Sequence, residues 1–490
     1  MSDSYAYGGL LLLIGVVGVV AVLSNRITQR TRIPAPALLL VATALAVQLV
    51  PNLHRPSEAT VDHLVTIALV LILFDGGMHL GWPDFRRSAR TIGIVGVAGT
   101  FLTAAGAAAI AHYALGLGWY PALLVATAVA PTDPAVVFSV LGQQEVVGRS
   151  GTVLEGESGA NDPVGIALMA SLLTAGHLSA GAFGQVAGQF ALQMGIGALF
   201  GGIGGRLLLD FIRRVPLPNG GLYPVRTLGC ILALFGVTVL AHGSGYLAVF
   251  VAGIVLGEAR APYKREIEHV HSAAASLGEI VAFVALGLTV DLGELASPDV
   301  WLAGLVLAVL LTVVVRPLLV GACLIGSELA RNERLFVLLS GLKGAVPILL
   351  GSFLLTAKLP DTERLYGIVV IVVAFSVTVQ ATALPSLAHR LGVRMRPVEP
   401  EPWALGVRLR DEPAGVHRLT VAPGSAADGR SIAELVRLPE FAWISFVIRA
   451  GALVPVTGET VLEAGDDALI LAEPDQAGPL AELFSRPAGG

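Results

Sequence analysis

The sequence predicts an all-α polytopic membrane protein of about thirteen transmembrane helices, with inverted repeats, two broken helices and a small cytoplasmic α+β domain at its C-terminal end. Three observations predict it. Of 490 residues, 54% are hydrophobic and only 14% are charged, against roughly 25% charged in an ordinary soluble domain. The apolar content is aliphatic, with aromatics at 6% and 58 glycines, which suits closely packed membrane helices better than a barrel of alternating strands. The apolar residues also fall into runs of span length, giving a mean hydropathy of +0.77. This excludes a disordered chain and a purely soluble multi-domain protein. A formal charge of −5 leaves no electrostatic footprint for a nucleic-acid partner.

A span takes about 20 mostly apolar residues. On that ruler thirteen segments stand out, near 5–24, 33–51, 63–80, 91–115, 118–141, 152–175, 186–210, 222–242, 244–258, 272–291, 299–326, 334–357 and 364–390. The first lacks a basic leader and a small-residue cleavage site, so it reads as a span and not as a removed signal peptide. The ninth is short, which suggests that the eighth and ninth pack as a tight pair. Lys and Arg favour the cytoplasmic side. They follow the odd-numbered spans: Arg26, Arg30 and Arg32 after the first, Arg86, Arg87 and Arg90 after the third, Arg213 and Arg214 after the seventh, Arg260, Lys264 and Arg265 after the ninth, Arg331 and Arg334 after the eleventh. Even-numbered connections hold only Arg55, Lys358 and Arg364. The N-terminus is therefore expected outside and the C-terminus in the cytoplasm.

Ionisable groups inside spans cost about 2.5–3.5 kcal/mol each on insertion scales and mark ion pathways. The sixth segment carries Glu157, Ser158, Asn161 and Asp162. Pairs four apart place all of them on one helix face, a set of carboxylate, hydroxyl and amide oxygens that suits a hard cation. The alternative is a polar cluster that binds neighbouring helices. The fifth segment carries Thr132, Asp133 and Pro134. Proline disfavours helix at the residue before it, so a break is expected at membrane depth, with carbonyls freed as cation ligands; a simple kink is the other reading. The twelfth carries Lys343 within Gly341-Leu342-Lys343-Gly344-Ala345-Val346-Pro347, a second candidate break with a cation attached. Seven spans separate the two breaks, so those helices run in opposite senses, as an inverted-repeat transporter requires. Lys343 is placed to neutralise Glu157 or Asp133, or else to snorkel. Glu279 in the tenth segment and Arg316 in the eleventh are expected to pair as a structural clamp between adjacent helices. Asp75 ends the third segment, as a helix cap or as part of the path.

Some patterns mislead. Gly195-Ile196-Gly197 has Phe200 where a nucleotide loop needs its third glycine. Gly197, Gly201 and Gly205 read instead as close helix packing. Gly243-Ser244-Gly245 has no strand before it and no acid–histidine pair, so it is not a nucleophile elbow. Cys230 and Cys323 lie in apolar runs without metal or disulfide spacing. No catalytic enzyme is expected.

Glu157-Ser158-Gly159-Ala160-Asn161-Asp162 resembles the E-S-x-x-N-D signature of the monovalent cation:proton antiporter-1 family, the NhaP type. Thr132-Asp133-Pro134 matches that family's broken-helix motif, and the stretch from Gly341 to Pro347 is similar to its G-L-R-G-A-V-P motif. Together with Leu71 to Gly77 and Gly243 to Gly253, the resemblance covers residues 7–395. It implies a thirteen-helix core-plus-dimerisation fold, a homodimer in the plasma membrane, and exchange of Na⁺ or K⁺ for H⁺. It makes Asp162 the shared carboxylate for cation and proton, Ser158 and Thr132 cation ligands, Glu157 an acid acting through water or by positioning, and Asn161 its hydrogen-bonded neighbour. One departure matters. Lys343 stands where the family has arginine, and lysine cannot give a bidentate grip.

Beyond Arg396 the composition turns acidic and proline-bearing, with apolar runs of strand length. Residues 1–396 are read as the exchanger-like membrane domain, 397–404 as a linker and 405–487 as an α+β domain, with strands at Ala442–Arg449 and Ala468–Ala472 and a helical turn at Ser431–Val436. Val421-Ala422-Pro423-Gly424-Ser425, Gly429-Arg430-Ser431, Ile448-Arg449 and Gly465-Asp466 resemble the C-terminal half of RCK/TrkA regulatory domains. Such a tail on an NhaP-type core resembles the potassium/proton antiporters linked to cell volume control. It implies a small-molecule effector, but no G-x-G-x-x-G occurs in the tail, so no NAD, ATP or other cofactor is expected.

The mechanism expected is antiport. A midplane carboxylate can hold a proton or a cation but not both, and only one carboxylate of the Asn161-Asp162 pair can titrate. Competition for Asp162 with alternating access then exchanges one cation per proton with no net charge moved. K⁺ is favoured on the tail, with a sodium/proton antiporter of the same fold as the alternative. An RCK-regulated potassium channel is more remote, because a T-V-G-Y-G filter is absent.

Overall fold

The computed structural model describes residues 35–49, 57–80, 82–141, 144–146, 148–177, 179–357, 359–397, 416–435, 442–449, 452–472 and 476–485, with residues 15, 18 and 19. The chain divides into two compact units, Met1–Glu399 and Pro400–Gly490. The first unit is helical: α1 (Ala35–Leu49), α2 (Glu58–Leu80), α3 (Phe85–Tyr113), α4 (Trp119–Val129), α5 (Pro134–Leu141), α6 (Arg149–Ala175), α7 (Ala180–Arg214), α8 (Leu222–Leu240), α9 (Gly245–Gly257), α10 (Lys264–Thr289), α11 (Pro298–Cys323), α12 (Arg331–Leu339), α13 (Ala345–Thr356) and α14 (Thr362–Leu391). Every predicted segment from the second to the thirteenth falls on these helices. The first, at 5–24, lies outside the described residues except for 15, 18 and 19, as does the linker beyond residue 397.

Among the described residues, seven helices are long and apolar enough to cross a bilayer, or eight if α4 and α5 form one bent span. α9 and much of α1 and α13 are shorter apolar helices. Local chemistry sets the helix ends. Gly148 (φ 92°) precedes α6 in a backbone conformation that favours glycine, and Gly176 (φ 70°) follows it in the left-handed conformation that lets a chain leave a helix sharply. Ser179 opens α7 by accepting the Ala182 N–H at 3.1 Å, and Arg213 and Arg214 close it against the helix dipole. α8 and α9 are joined by a tight turn in which the Gly243 N–H bonds the Thr238 carbonyl at 2.8 Å.

Packing explains the glycines. On α7, Gly197 and Gly201 face the carbonyls of Ser244 and Ala248, and a Cβ at either would lie 2.7 Å from that oxygen. Gly205 meets Ala252 of α9 in the same line. With no side chains between them, the two backbones touch. Three π-helical turns were not foreseen: Ile94–Gly99 in α3, Leu311–Val320 in α11 and Ser376–Gln380 in α14. Such turns re-aim side chains and gather at functional sites; two of them border the site described below.

The second unit holds a four-stranded antiparallel sheet in the order β3-β6-β4-β5, with β3 Val416–Thr420, β4 Trp443–Arg449, β5 Ala452–Val454 and β6 Asp467–Leu471. (β1, Gln144–Val146, and β2, Met395–Pro397, form an antiparallel pair in the first unit.) Ile444, Val447, Ala468 and Ile470 on one sheet face form a core with Leu480 and Phe484 of α15 (Ala477–Ser485). The 3₁₀ turn Ile432–Glu434 is opened by a Ser431–Glu434 capping box. The expected strands and turn coincide with β4, β6 and this turn; β3, β5 and α15 were not anticipated.

Candidate functional site

Two helix breaks meet inside the first unit. α4 ends at Val129 and α5 begins at Pro134, bent by 43° across the break. α12 ends at Leu339 and α13 begins at Ala345. The breaks touch through backbone, the Asp133 N–H donating to the Leu342 carbonyl at 2.8 Å. Four half-helix ends therefore converge, two with free carbonyls and two with free N–H groups.

Charged side chains complement each kind of end. Lys343 Nζ donates to the Ala130 and Pro131 carbonyls at 2.9 and 3.0 Å, closing the end of α4. Arg316 Nε donates to the Leu338 carbonyl at 2.8 Å, and Nη2 to Val337 at 3.4 Å, closing the end of α12. Asp133 Oδ1 accepts the Ala135 N–H at 2.9 Å, capping α5. The same carboxylate rests on Gly344, just before α13, where a Cβ would overlap it. Only glycine fits there.

α6 lays its polar face against this crossing. Ser158 Oγ donates to the Thr132 carbonyl at 2.5 Å and Asn161 Nδ2 to Thr132 Oγ1 at 2.7 Å. The Thr132 N–H reaches Asn161 Oδ1 at 3.4 Å. Thr132, Ser158, Asn161 and Asp162 are all buried. Asp162 Oδ1 is buried and accepts no hydrogen bond from any described residue; Glu157 Oε2 is left the same way, but the other oxygen of Glu157 is held by Arg316 and no described cation touches Asp162. A carboxylate oxygen in that position is available to a cation or a proton and is otherwise costly to bury.

The structure corrects one pairing. Arg316 does not meet Glu279. Its Nη2 lies 2.7 Å from Glu157 Oε1, and both side chains are 3% exposed. The reason is packing. α10 packs on α1, α2, α8 and α13, whereas the π-helical turn of α11 packs on α3 and α12. Arg316 therefore faces the end of α12 and the acid on α6. Glu279 is left with a buried Oε1 that has no partner among the described residues. Lys343, for its part, bonds carbonyls and neither Glu157 nor Asp133. Asp75 stands apart from the crossing, where it accepts Ser272 Oγ at 2.7 Å.

Some residues of the site were not anticipated. Ser376 Oγ accepts the Lys343 N–H at 2.8 Å, and Gln380 Nε2 donates to the Leu339 carbonyl at 3.0 Å. Both sit on the π-helical turn of α14 and satisfy backbone freed by the second break. The signal was present as polar residues in an apolar run, Ser376-Val377-Thr378-Val379-Gln380.

Residues 16–390 match the sodium/hydrogen exchanger transmembrane family. The chain belongs to that family. Residues 416–485 match the TrkA-C domain. This exchanger-family chain is 32% identical to the K(+)/H(+) antiporter NhaP of Alkalimonas amylolytica over 78% of its length and 66% of the relative's. It is 29% identical to the K(+)/H(+) antiporter NhaP2 of Shewanella sp. (strain MR-4) over 99% of its length and 84% of the relative's. Among solved structures, the sodium proton antiporter MjNhaP1 of Methanocaldococcus jannaschii superposes with a TM-score of 0.66 at 22% identity, covering 78% of this chain and 99% of that one. The fold is thus that of a cation/proton antiporter, a transporter and not an enzyme.

Proposed function

We propose that this protein is a secondary active antiporter that exchanges a monovalent cation, K⁺ by preference, for H⁺. The observation that carries the reading is the unpartnered Asp162 carboxylate at the crossing of two broken helices. Cation and proton compete for it. Ser158 and Thr132 supply neutral oxygens, and Asn161 holds Thr132 in place. Glu157 and Arg316 neutralise one another, Lys343 and Asp133 fix the helix ends, and Asp162 alone changes its charge. One cation then replaces one proton, and the exchange is electroneutral.

Relatives support K⁺ over Na⁺. The K⁺/H⁺ relative NhaP2 aligns over 99% of this chain, tail included, whereas the Na(+)/H(+) antiporter NhaH of Halobacillus aidingensis aligns over 73%. We assign residues 1–396 to the transport domain, 397–404 to a linker and 405–487 to a regulatory RCK C-terminal domain that takes a small-molecule effector. The protein works as a homodimer in the plasma membrane, with its N-terminus outside and its tail in the cytoplasm, an orientation that the distribution of Lys and Arg supports.

Proton flux in proteoliposomes with a preset pH gradient tests this, adding K⁺ and Na⁺ separately to wild type and Asp162→Asn. Dissipation by K⁺ that is lost in the variant is the expected result. An equal or larger Na⁺ response overturns the ion assignment, and activity in Asp162→Asn overturns the site. Removal of residues 400–490 should change regulation or ion preference and leave transport.

A further inference from the structure

Glu279 carries an inference beyond that scheme. It lies inside α10 and belongs to no motif used above. Its Oε1 is shut off from solvent and accepts nothing from any described residue. A carboxylate left that way inside a membrane protein is expensive and marks a path or a site.

Its surroundings say which. Gly278, the preceding residue, presses on Ala68 of α2, where an added Cβ would lie 3.2 Å from the Ala68 Cα. That fixes the level of Glu279 in the antiparallel seam of α2 and α10. Ser272 and Asp75 bond lower in the same seam. Farther along α2, Asp62 accepts Ser352 Oγ of α13 at 3.2 Å. Thirteen helical residues from Asp62 to Asp75 span about 20 Å, and seven from Ser272 to Glu279 about 10 Å. Glu279 therefore stands about midway between two acids that each hold a hydroxyl. α10 also packs on α13, the half-helix that starts at the crossing. Neither cation of the crossing compensates it: Arg316 is engaged by Glu157 and two carbonyls, and Lys343 by two others.

We propose that Glu279 is a second cation-binding carboxylate, which receives the monovalent cation in the seam of α2, α10 and α13 and passes it to Asp162. Asp162 comes from the helix that lies on the crossing, and Glu279 from a helix that faces it. This rests on the assignment of Asp162 as the exchange site.

The test compares wild type, Glu279→Gln, Glu279→Asp and Asp162→Asn in proteoliposomes, with K⁺ titrated on one side, and records thermal unfolding of each in detergent. Glu279→Gln should fold as wild type does and raise the KM for K⁺ about tenfold with a smaller change in kcat, the signature of a lost binding contact. Glu279→Asp, which keeps the charge, should recover most of the KM. A wild-type KM in Glu279→Gln, beside an inactive Asp162→Asn, overturns this proposal and leaves the Asp162 reading standing. A lowered melting temperature in Glu279→Gln and Glu279→Asp alike, with unchanged KM, assigns a structural role and also overturns it. Full exchange in Asp162→Asn removes the reading on which it rests, and the proposal falls with it.

Discussion

Lys343→Met removes the ammonium and keeps the length of the side chain. The ammonium donates to the Ala130 and Pro131 carbonyls. Hydrogen bonds from a charged donor contribute about 1.5–3 kcal/mol each, so the pair gives about 3–6 kcal/mol. Against this stands the relief of no longer burying a charge, a penalty of several kcal/mol that the native contacts offset. Truncating one member of a buried charged set still costs about 3–5 kcal/mol, because the groups left behind lose their compensation. We therefore expect a net loss of about 3 kcal/mol. At about 2–4 °C per kcal/mol, the apparent melting temperature falls by about 6–12 °C. The assay is thermal unfolding in detergent at one fixed scan rate, since unfolding of such proteins is irreversible. Lys343→Arg keeps the charge and should melt within about 3 °C of wild type. A Lys343→Met protein that melts and transports like wild type would refute the argument that this ammonium closes the end of α4.

Other outcomes follow from the same geometry. Asp162→Asn should lose exchange and keep its melting temperature, since Asp162 makes no hydrogen bond that the fold needs; melting curves and flux on one preparation decide it. Arg316→Met alone should cost about 3–5 kcal/mol, and Glu157→Leu with Arg316→Met should cost less than that single change, because the pair is removed together; equal or greater loss in the double variant would contradict the pairing. Gly344→Ala should fail to assemble the crossing, because its Cβ overlaps the Asp133 carboxylate, and a correctly folded, active variant would show that the two breaks can separate. In the tail, Arg449 holds the Asp466 carboxylate below the usual carboxylate range, and Thr420 and then Arg418 do the same for Asp467. A lowered folded pKa stabilises above the ordinary carboxylate pKa and is lost as pH falls through the folded value, so β4 and β6 should lose amide protection below about pH 4. Arg449→Ala should show that loss at pH 7, and unchanged protection there would refute it.

Much of the crossing was legible because charge is expensive in a membrane. Asp133, Glu157, Asp162 and Lys343 each interrupt an apolar run, and proline beside Asp133 told which helix breaks. Period alone put Ser158, Asn161 and Asp162 on one face of α6. What stayed hidden depended on which helices touch. Arg316 was matched to Glu279 because their helices are consecutive, yet consecutive helices need not pack along their whole length. The π-helical turn in α11 that aims Arg316 has no sequence signature beyond Pro317. Ser376 and Gln380 were passed over because uncharged polar residues enter a span cheaply, so their presence signals little until the break they serve is seen.

The charges at the crossing explain why one carboxylate can run the exchange. Asp133, Glu157 and Asp162 bring three negative charges, and Arg316 and Lys343 bring two positive ones. Arg316 cancels Glu157 by direct contact. Lys343 and Asp133 lie on neighbouring breaks and are spent on helix ends of opposite polarity. One negative charge of the crossing remains, on Asp162, whose Oδ1 is unpartnered and which no described cation touches. A site of net charge −1 inside a low-dielectric span is satisfied by one monovalent cation or one proton, and a divalent ion would leave it overcharged. Lysine in the place of arginine fits this arrangement. The carbonyls of Ala130 and Pro131 accept from a single Nζ, a point-like task that does not need a planar fork, while the bidentate demand of two carbonyls and a carboxylate is met by Arg316. Each cation does the work its shape allows, and neither is free to compete with K⁺ for Asp162.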